Sequence, residues 1–341
     1  MSMPSTTISQ QSGQGVREMT LGKAINEALA EELRRDPRVF IMGEDVAEAG
    51  TPFKVLSGLV EEFGPARIID SPISEAGITG LGVGGAMTGM RPIIDLMFGD
   101  FIALAMDQIV NQAAKIHYMS GGKLKVPLVV RTTLGATRRT AAQHSQSLHA
   151  WVSHIPGLKV VLPSTPYDAK GLLKTAIRDD NPVVFFEDKM MYQLKGPVPE
   201  GDYSIPFGVA DIKRVGSDVT IVATSSMVQV ALAAAEILEK LDISAEIVDP
   251  RTMYPLDKET MIASAKKTSR AIVIDEGYER YGVTAELAAD IAEGAFYYLD
   301  APVKRLGAMD VPVPFSPVLE DLTVPTPASV VEVAKTLCGR V

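Results

Sequence analysis

The sequence predicts an α/β protein made of two doubly wound domains. Short apolar runs rich in Val and Ile alternate with stretches of helical period along most of the chain. That is the pattern of a parallel sheet covered on both faces. The alternation breaks across Gly196 to Gly208, where Pro197, Pro199 and Pro206 stand among polar residues. At 341 residues the chain is long enough for two sizeable cores. The expected division is a disordered tail over 1–16, a first domain over 17–195, a linker over 196–208 and a second domain over 209–341.

In the first domain, Leu21 to Leu33 has helical period and ends in Arg34-Arg35, which suit a last turn. Val39 to Gly43 is a short buried strand, Leu56 to Phe63 a helix, and Arg67 to Asp70 a strand. Ser71-Pro72 turns the chain, Ser74 is placed to cap, and Glu75 to Thr88 forms a helix. Pro92 to Leu96 is a strand, Phe101 to Tyr118 a long helix, and Val126 to Thr132 a strand. Thr133 to Ser145 is a loop, followed by a short helix over Leu148 to Val152. Strands over Leu158 to Leu162 and Pro182 to Glu187 flank a helix over Pro166 to Arg178.

The second domain repeats the alternation. Its strands are Val219 to Ala223, Ala245 to Asp249, Ala271 to Asp275 and Val303 to Leu306. Its helices are Met227 to Leu241, Leu256 to Lys267, Val283 to Phe296 and, after a proline-rich connection, Ala328 to Leu337. Right-handed crossovers would make four such strands a smaller doubly wound sheet.

Composition narrows the function classes. A net charge of -9 argues against a nucleic-acid or anionic-membrane surface, both of which want basic stripes. No apolar run reaches the roughly 18 residues that a membrane helix needs. The lone Cys338 excludes an internal disulfide and fits a reducing, cytoplasmic compartment. The tail is rich in Ser, Gln and Thr and holds no basic residue, so no targeting peptide is expected.

The Glu75 helix is unusual. Its acid would meet orphan N–H groups and the positive end of the helix dipole. Six glycines follow within fourteen residues, each costing roughly 1 kcal/mol in a helix. Glycine at that density admits a second backbone or a flat ligand. The stretch reads either as a capped core helix or as a site. Gly80-Leu-Gly-Val-Gly-Gly85 fits a dinucleotide pattern, but its glycines lie inside the helix rather than in the turn that opens it. Of the four histidines, His144 ends a polar loop, where catalytic groups tend to lie. Residues alone thus give a two-domain enzyme or enzyme subunit with an acid and a histidine as candidates.

Several segments carry more. Asp70-Ser-Pro-Ile-Ser-Glu-Ala-Gly77, Lys115-Ile-His-Tyr-Met-Ser-Gly-Gly122, Ala141-Ala-Gln-His-Ser-Gln146, Pro156-Gly-Leu-Lys-Val-Val161, Asp168-Ala-Lys-Gly-Leu-Leu173, Ala176-Ile-Arg-Asp-Asp-Asn-Pro182 and Val311-Pro-Val-Pro-Phe315 follow in order. From about Met19 onward the chain resembles β subunits of thiamine-diphosphate-dependent E1 components of 2-oxoacid and acetoin dehydrogenase complexes. The resemblance implies a thiamine-diphosphate-binding domain of the pyrimidine type, then a transketolase C-terminal-like domain.

It further implies that Glu75 hydrogen-bonds N1′ of the cofactor's aminopyrimidine, which favours the tautomer able to deprotonate thiazolium C2. Phe101 would pack on that ring, with Ile73 and Met97 lining the pocket, and His144 would stand near the reacting carbon. Main-chain oxygens of Leu128, Ala176, Ile177 and Asp179, with Asn181, match a structural potassium site of some members; five oxygens suit a hard cation. The family holds the diphosphate through Mg2+ on a Gly-Asp-Gly motif. This chain has Gly99-Asp100-Phe101 and Gly201-Asp202-Tyr203 but no Gly-Asp-Gly. An E1 α subunit is therefore expected to supply that half of the site in an α2β2 heterotetramer.

The basic loop Thr132 to Thr140 resembles acetoin dehydrogenases more than pyruvate or branched-chain enzymes. In each case a 2-oxo compound is cleaved and its acyl group passes to lipoamide on E2. Glu276, Glu279, Glu286, Asp290 and Glu320 read as acidic surface suited to a basic E2 module. A non-catalytic assembly subunit is the reading of another class. It would keep the fold without needing Glu75 or His144.

Overall fold

The computed structural model describes residues 15–340. The first domain runs β1 (Val16–Thr20), α1 (Leu21–Arg35), β2 (Val39–Gly43), α2 (Leu59–Phe63), β3 (Ile68–Asp70), α3 (Glu75–Met87) and β4 (Arg91–Leu96). It continues through α4 (Ala114–Met119), β5 (Val129–Leu134), α5 (His149–Ser153), β6 (Lys159–Val161), α6 (Pro166–Arg178), β7 (Val183–Asp188) and β8 (Lys195–Pro199). The second runs β9 (Asp211–Arg214), β10 (Val219–Ala223), α7 (Met227–Glu239), β11 (Ala245–Asp249), β12 (Thr252–Tyr254), α8 (Lys258–Thr268) and β13 (Ala271–Tyr278). It closes with α9 (Val283–Gly294), β14 (Lys304–Ala308), α10 (Pro317–Glu320) and α11 (Pro327–Leu337).

Among the described residues these strands make three sheets: a seven-stranded one ordered β12-β6-β7-β5-β4-β2-β3, a five-stranded one ordered β14-β13-β10-β11-β9, and the pair β1-β8. In the large sheet β2 to β7 run parallel. Every residue of β4, β5 and β7 is buried, as strands covered on both faces must be. The four strands expected in the second domain form its parallel core, with β9 antiparallel at the edge. The fold class is the one predicted.

Several elements differ. Residues 1–14 of the expected tail lie outside the described residues, but Val16 already opens β1. The expected linker is partly sheet: β8 pairs antiparallel with β1, setting Pro197 opposite Glu18 and Pro199 opposite Val16. Proline is admissible there because a two-stranded ribbon leaves outward positions that need no N–H. Helix α2 starts only at Leu59, since left-handed Gly58 (φ 86°) stops it from extending backward. The helix expected over Phe101 to Tyr118 is three geometries in series: tight 3₁₀ turns over Gly99–Ala105, a wide π segment over Asp107–Ala113, then α4. Apolar period does not separate these windings locally. β12 belongs to the second half of the chain yet pairs antiparallel with β6 of the first.

Close approach explains two glycines. A Cβ on Gly82 of α3 would lie 2.5 Å from the Ile94 side chain of β4, so the helix settles directly on the sheet. One on Gly99 would lie 2.2 Å from the Thr133 carbonyl oxygen. Gly77, Leu81, Gly84 and Thr88, spaced 4, 3 and 4 apart, remain exposed on the other face of α3. No helix among the described residues is long and apolar enough to cross a membrane.

Candidate functional site

The carboxyl ends of neighbouring parallel strands gather the candidate residues on one edge of the large sheet. Ile73 and Glu75 follow β3, Glu44 follows β2, Met97, Phe98 and Phe101 follow β4, and the loop bearing His144 follows β5. The crevice outside strand carboxyl ends is where open α/β sheets bind ligands.

Glu75 is the first residue of α3, with Ser74 at the cap position. The Ser74 hydroxyl makes no capping bond, contrary to the sequence reading; with φ −167° and ψ 77° the residue departs from ordinary cap geometry. The Glu75 carboxylate is half-buried and has no hydrogen-bond or ion-pair partner among the described residues. Ile73 beside it is 71% exposed. Burial, with the charges of Asp45 and Glu75, pushes the neighbouring Glu44 carboxyl above its ordinary value.

Phe98, Phe101 and His144 form one cluster. The imidazole meets both rings edge-on, with centroids 4.7 Å from Phe98 and 5.3 Å from Phe101. Thr133 Oγ1 donates to the Met97 carbonyl at 3.0 Å and Thr132 to that of Leu96, tying the end of β4 to β5. Phe53 packs edge-on against Phe98 at 5.8 Å, and the Arg138 guanidinium lies 5.0 Å over the Phe53 ring. The structure thus brings Met97, Phe101 and His144 together beside the helix that Glu75 opens, since α3 packs on the 3₁₀ turns carrying Phe101.

The expected potassium ligands lie elsewhere. Leu128 precedes β5, Asn181 precedes β7, and Ala176, Ile177 and Asp179 end α6, all at the amino edge. There Arg91 donates to the carbonyls of Arg178 and Asp179 at 3.0 and 3.3 Å, and Lys159 pairs with the Asp179 carboxylate. The Leu128 carbonyl accepts from Val183 N at 2.9 Å. Two cationic side chains already answer this helix end.

Sequence reasoning missed the buried charges beneath the site. Arg131 of β5 is bidentate to Glu187 of β7 at 2.6 and 2.7 Å and also pairs with Asp95 of β4; Tyr192 donates to Glu187 at 2.8 Å. Burial raises both carboxyls, against the pull of Arg131. The available signal was an acid or a guanidinium inside otherwise apolar strands. The acidic surface expected for E2 is corrected as well. Glu320 is fully buried and Glu276 is 9% exposed, and both face the first domain rather than solvent. Asp290 is tied to Lys258 at 2.6 Å.

Comparisons with known proteins place the two domains and the family. The family model for the transketolase pyrimidine-binding domain matches residues 17–195, and that for the transketolase C-terminal domain matches 208–330. The chain is therefore a protein of transketolase-type two-domain architecture. A solved split-gene transketolase, an inactive β4 tetramer, superposes with a TM-score of 0.76 over 94% of this chain and 98% of its own, at 24% identity, a likeness of fold alone. Sequence relatives are more specific. The β subunit of the acetoin:2,6-dichlorophenolindophenol oxidoreductase of Bacillus subtilis is 51% identical, covering 95% of this chain and 98% of its own. The pyruvate dehydrogenase E1 component subunit β of Rickettsia felis is 49% identical over 94% and 98%. The mitochondrial pyruvate dehydrogenase E1 subunit β-1 of rice is 47% identical over 95% and 88%. The chain belongs to the family of E1 β subunits of thiamine-diphosphate-dependent dehydrogenases, which are oxidoreductase subunits.

Proposed function

We propose that this chain is the β subunit of an acetoin dehydrogenase E1, active only with an α subunit. The observation that carries the catalytic reading is Glu75: a carboxylate at a helix N-terminus, without a partner in its own chain, beside an exposed isoleucine and the aromatic cluster. These residues fit the aminopyrimidine half of thiamine diphosphate. Glu75 would hold N1′ and share a proton there, Phe101 would pack on the ring, and Ile73 and Met97 would line its pocket. When bound, the cofactor supplies the carbanion chemistry that cleaves a bond next to a carbonyl. Within the chain, Glu75 sets the proton balance, and the two phenylalanines orient the His144 imidazole toward the reacting end. There the imidazole can stabilise a substrate oxygen or protonate the lipoyl sulfur.

The missing Gly-Asp-Gly motif assigns Mg2+ and the diphosphate to the α subunit, in an α2β2 assembly. The exposed glycine stripe of α3 suits close contact with it. The acyl group would pass to lipoamide on E2. A cytoplasmic location rests on the lone Cys338. A potassium ion at Leu128, Ala176, Ile177, Asp179 and Asn181 would share this helix end with Arg91 and Lys159, which already supply positive charge there.

Arg138 favours pyruvate as a second reading. Its guanidinium has no carboxylate partner among the described residues and stands beside Phe53 at the cluster; a 2-oxoacid offers a carboxylate and acetoin does not. The deciding experiment compares acetoin, pyruvate and branched 2-oxoacids on enzyme reconstituted with its α subunit. Preference for acetoin that survives Arg138→Ala supports the first reading; pyruvate turnover lost on Arg138→Ala supports the second. Calorimetry on the isolated chain with Mg2+ and thiamine diphosphate tests the divided site, and tight metal-dependent binding would overturn it.

A further inference from the structure

The loop 135–147 holds three non-glycine residues in left-handed conformation, Thr137 (φ 67°), Arg139 (φ 63°) and Ala141 (φ 60°), besides Gly135 (φ 106°). Such backbone costs about 1 kcal/mol or more per residue and persists only where the surroundings impose it. Here the second domain imposes it. Glu276, near the end of β13, accepts from Ala136 N at 2.9 Å and from Ser147 Oγ at 3.1 Å, gripping both ends of the loop through one carboxyl oxygen. Its other oxygen accepts from Ser226 at 2.5 Å. In the middle, the Arg139 side chain and main-chain N–H donate to buried Glu320 at 2.8 and 3.2 Å, and the guanidinium also meets Asp321 at 3.0 Å. Near the far end, buried Lys189 donates to the His144 carbonyl at 2.8 Å.

We propose that Glu276 of the C-terminal domain is a positioning residue for His144, acting as a clasp that holds loop 135–147 in its strained shape. The inference rests on the reading of His144 given above. The chemistry of the clasp is that of an acid pair. Asp188 Oδ2 is buried with no donor, and a Cβ on Gly135 would lie 2.8 Å from Glu276 Oε1 and 3.1 Å from Asp188 Oδ2, so the two carboxyls converge. Burial and Asp188 push the Glu276 carboxyl well above its ordinary value. A proton shared between the two carboxyls would answer the orphan oxygen of Asp188 and leave acceptor lone pairs for Ala136, Ser147 and Ser226. A glutamine keeps the grip on the loop: its amide oxygen, in place of Oε1, accepts from Ala136 and Ser147, and its amide nitrogen, in place of Oε2, donates to the Ser226 hydroxyl.

The test uses the assembled α and β enzyme carrying Glu276→Ala, Glu276→Gln, His144→Ala or Glu276→Ala with His144→Ala. Trypsin reads the loop directly, since Arg138 and Arg139 are its cleavage points. Glu276→Ala should speed cleavage there and lower turnover by about tenfold to a hundredfold with cofactor affinity little changed. Glu276→Gln should restore both readouts, and the double variant should be no slower than His144→Ala alone. An intact loop and full turnover in Glu276→Ala, or a Gln variant as damaged as Ala, would overturn the clasp. Full turnover in His144→Ala would instead remove the role given to His144, and tryptic cleavage alone would then decide the clasp. If Glu276→Ala does not assemble, Ser147→Ala releases one end of the loop and decides by the same readouts.

Discussion

The two edges of the seven-stranded sheet are built from the same parallel strands, yet they treat charge in opposite ways. At the amino edge Asp180 receives Arg91 at 2.7 Å and Lys125 at 2.6 Å, Asp179 receives Lys159 and Asn181, and Asp36 receives Arg38 at 2.7 Å. The Asp36 carboxyl is lowered to about 2, chiefly by its bond to Arg38. At the carboxyl edge Glu75 has no partner and Ile73 is uncovered. Buried polar groups are paired almost everywhere in a fold, and the unpaired, half-buried Glu75 is the group that the proposed function gives to a ligand from outside the chain. The lesson is that pairing, not acidity, separates the carboxylate proposed to work on a cofactor from the structural ones.

Four outcomes would break or sharpen that contrast. The largest effect is expected for Glu75→Gln in the reconstituted holoenzyme. Exchange of the cofactor C2 proton should slow by about 10² to 10⁴-fold with the melting temperature nearly unchanged; normal exchange would sink the assignment of Glu75. Replacing a paired charge should do the reverse. Arg131→Met strands Asp95 and Glu187 in the core and should cost roughly 3–5 kcal/mol, seen in denaturant melts. A loss under 1 kcal/mol would mean the two acids simply take up protons.

A smaller, pH-dependent effect belongs to Glu276. Its folded pKa lies above the ordinary glutamate value, so the folded state binds the proton more tightly. The stability it contributes is complete below that ordinary value and is lost as pH rises through the folded one. Glu276→Gln should therefore flatten the decline of melting temperature as pH rises above the ordinary glutamate value; an unchanged slope would assign the decline to other groups. The smallest effect is expected from exchanging K+ for a larger organic cation, a shift of under about 1 kcal/mol. A larger one would restore the amino edge as a true ion site despite Arg91 and Lys159.

How much of this could be read from the sequence follows from what each element depends on. Strands such as Val129–Leu134 carry their own apolar signal, so the parallel cores were legible. β8, β9 and β12 owe their pairing to distant partners, and nothing local marks Thr252–Tyr254 as a strand. Glu75 and His144 were visible as odd residues in telling places, but their roles came from resemblance rather than spacing. Glu276 and Glu320 were misread as surface because a buried acid and an exposed one are spelled alike. The hint was an acidic pair, Asp275-Glu276, at the end of a wholly apolar run.

The short strand β12 has a consequence for how this chain can be cut or fused. Its three residues cap the open side of β6 with backbone hydrogen bonds from the far half of the sequence, and Arg251 just before it is bound to Asp168 of α6 at 2.8 Å. A fragment ending near residue 208 would keep a complete set of first-domain helices yet expose β6 as a bare edge, an invitation to pair with another copy. The halves are thus one engineering unit: a splice before Thr252 strips β12 from the sheet it closes, and one after Tyr254 divides the five-stranded sheet between β10 and β13, so relatives exchange best as whole chains.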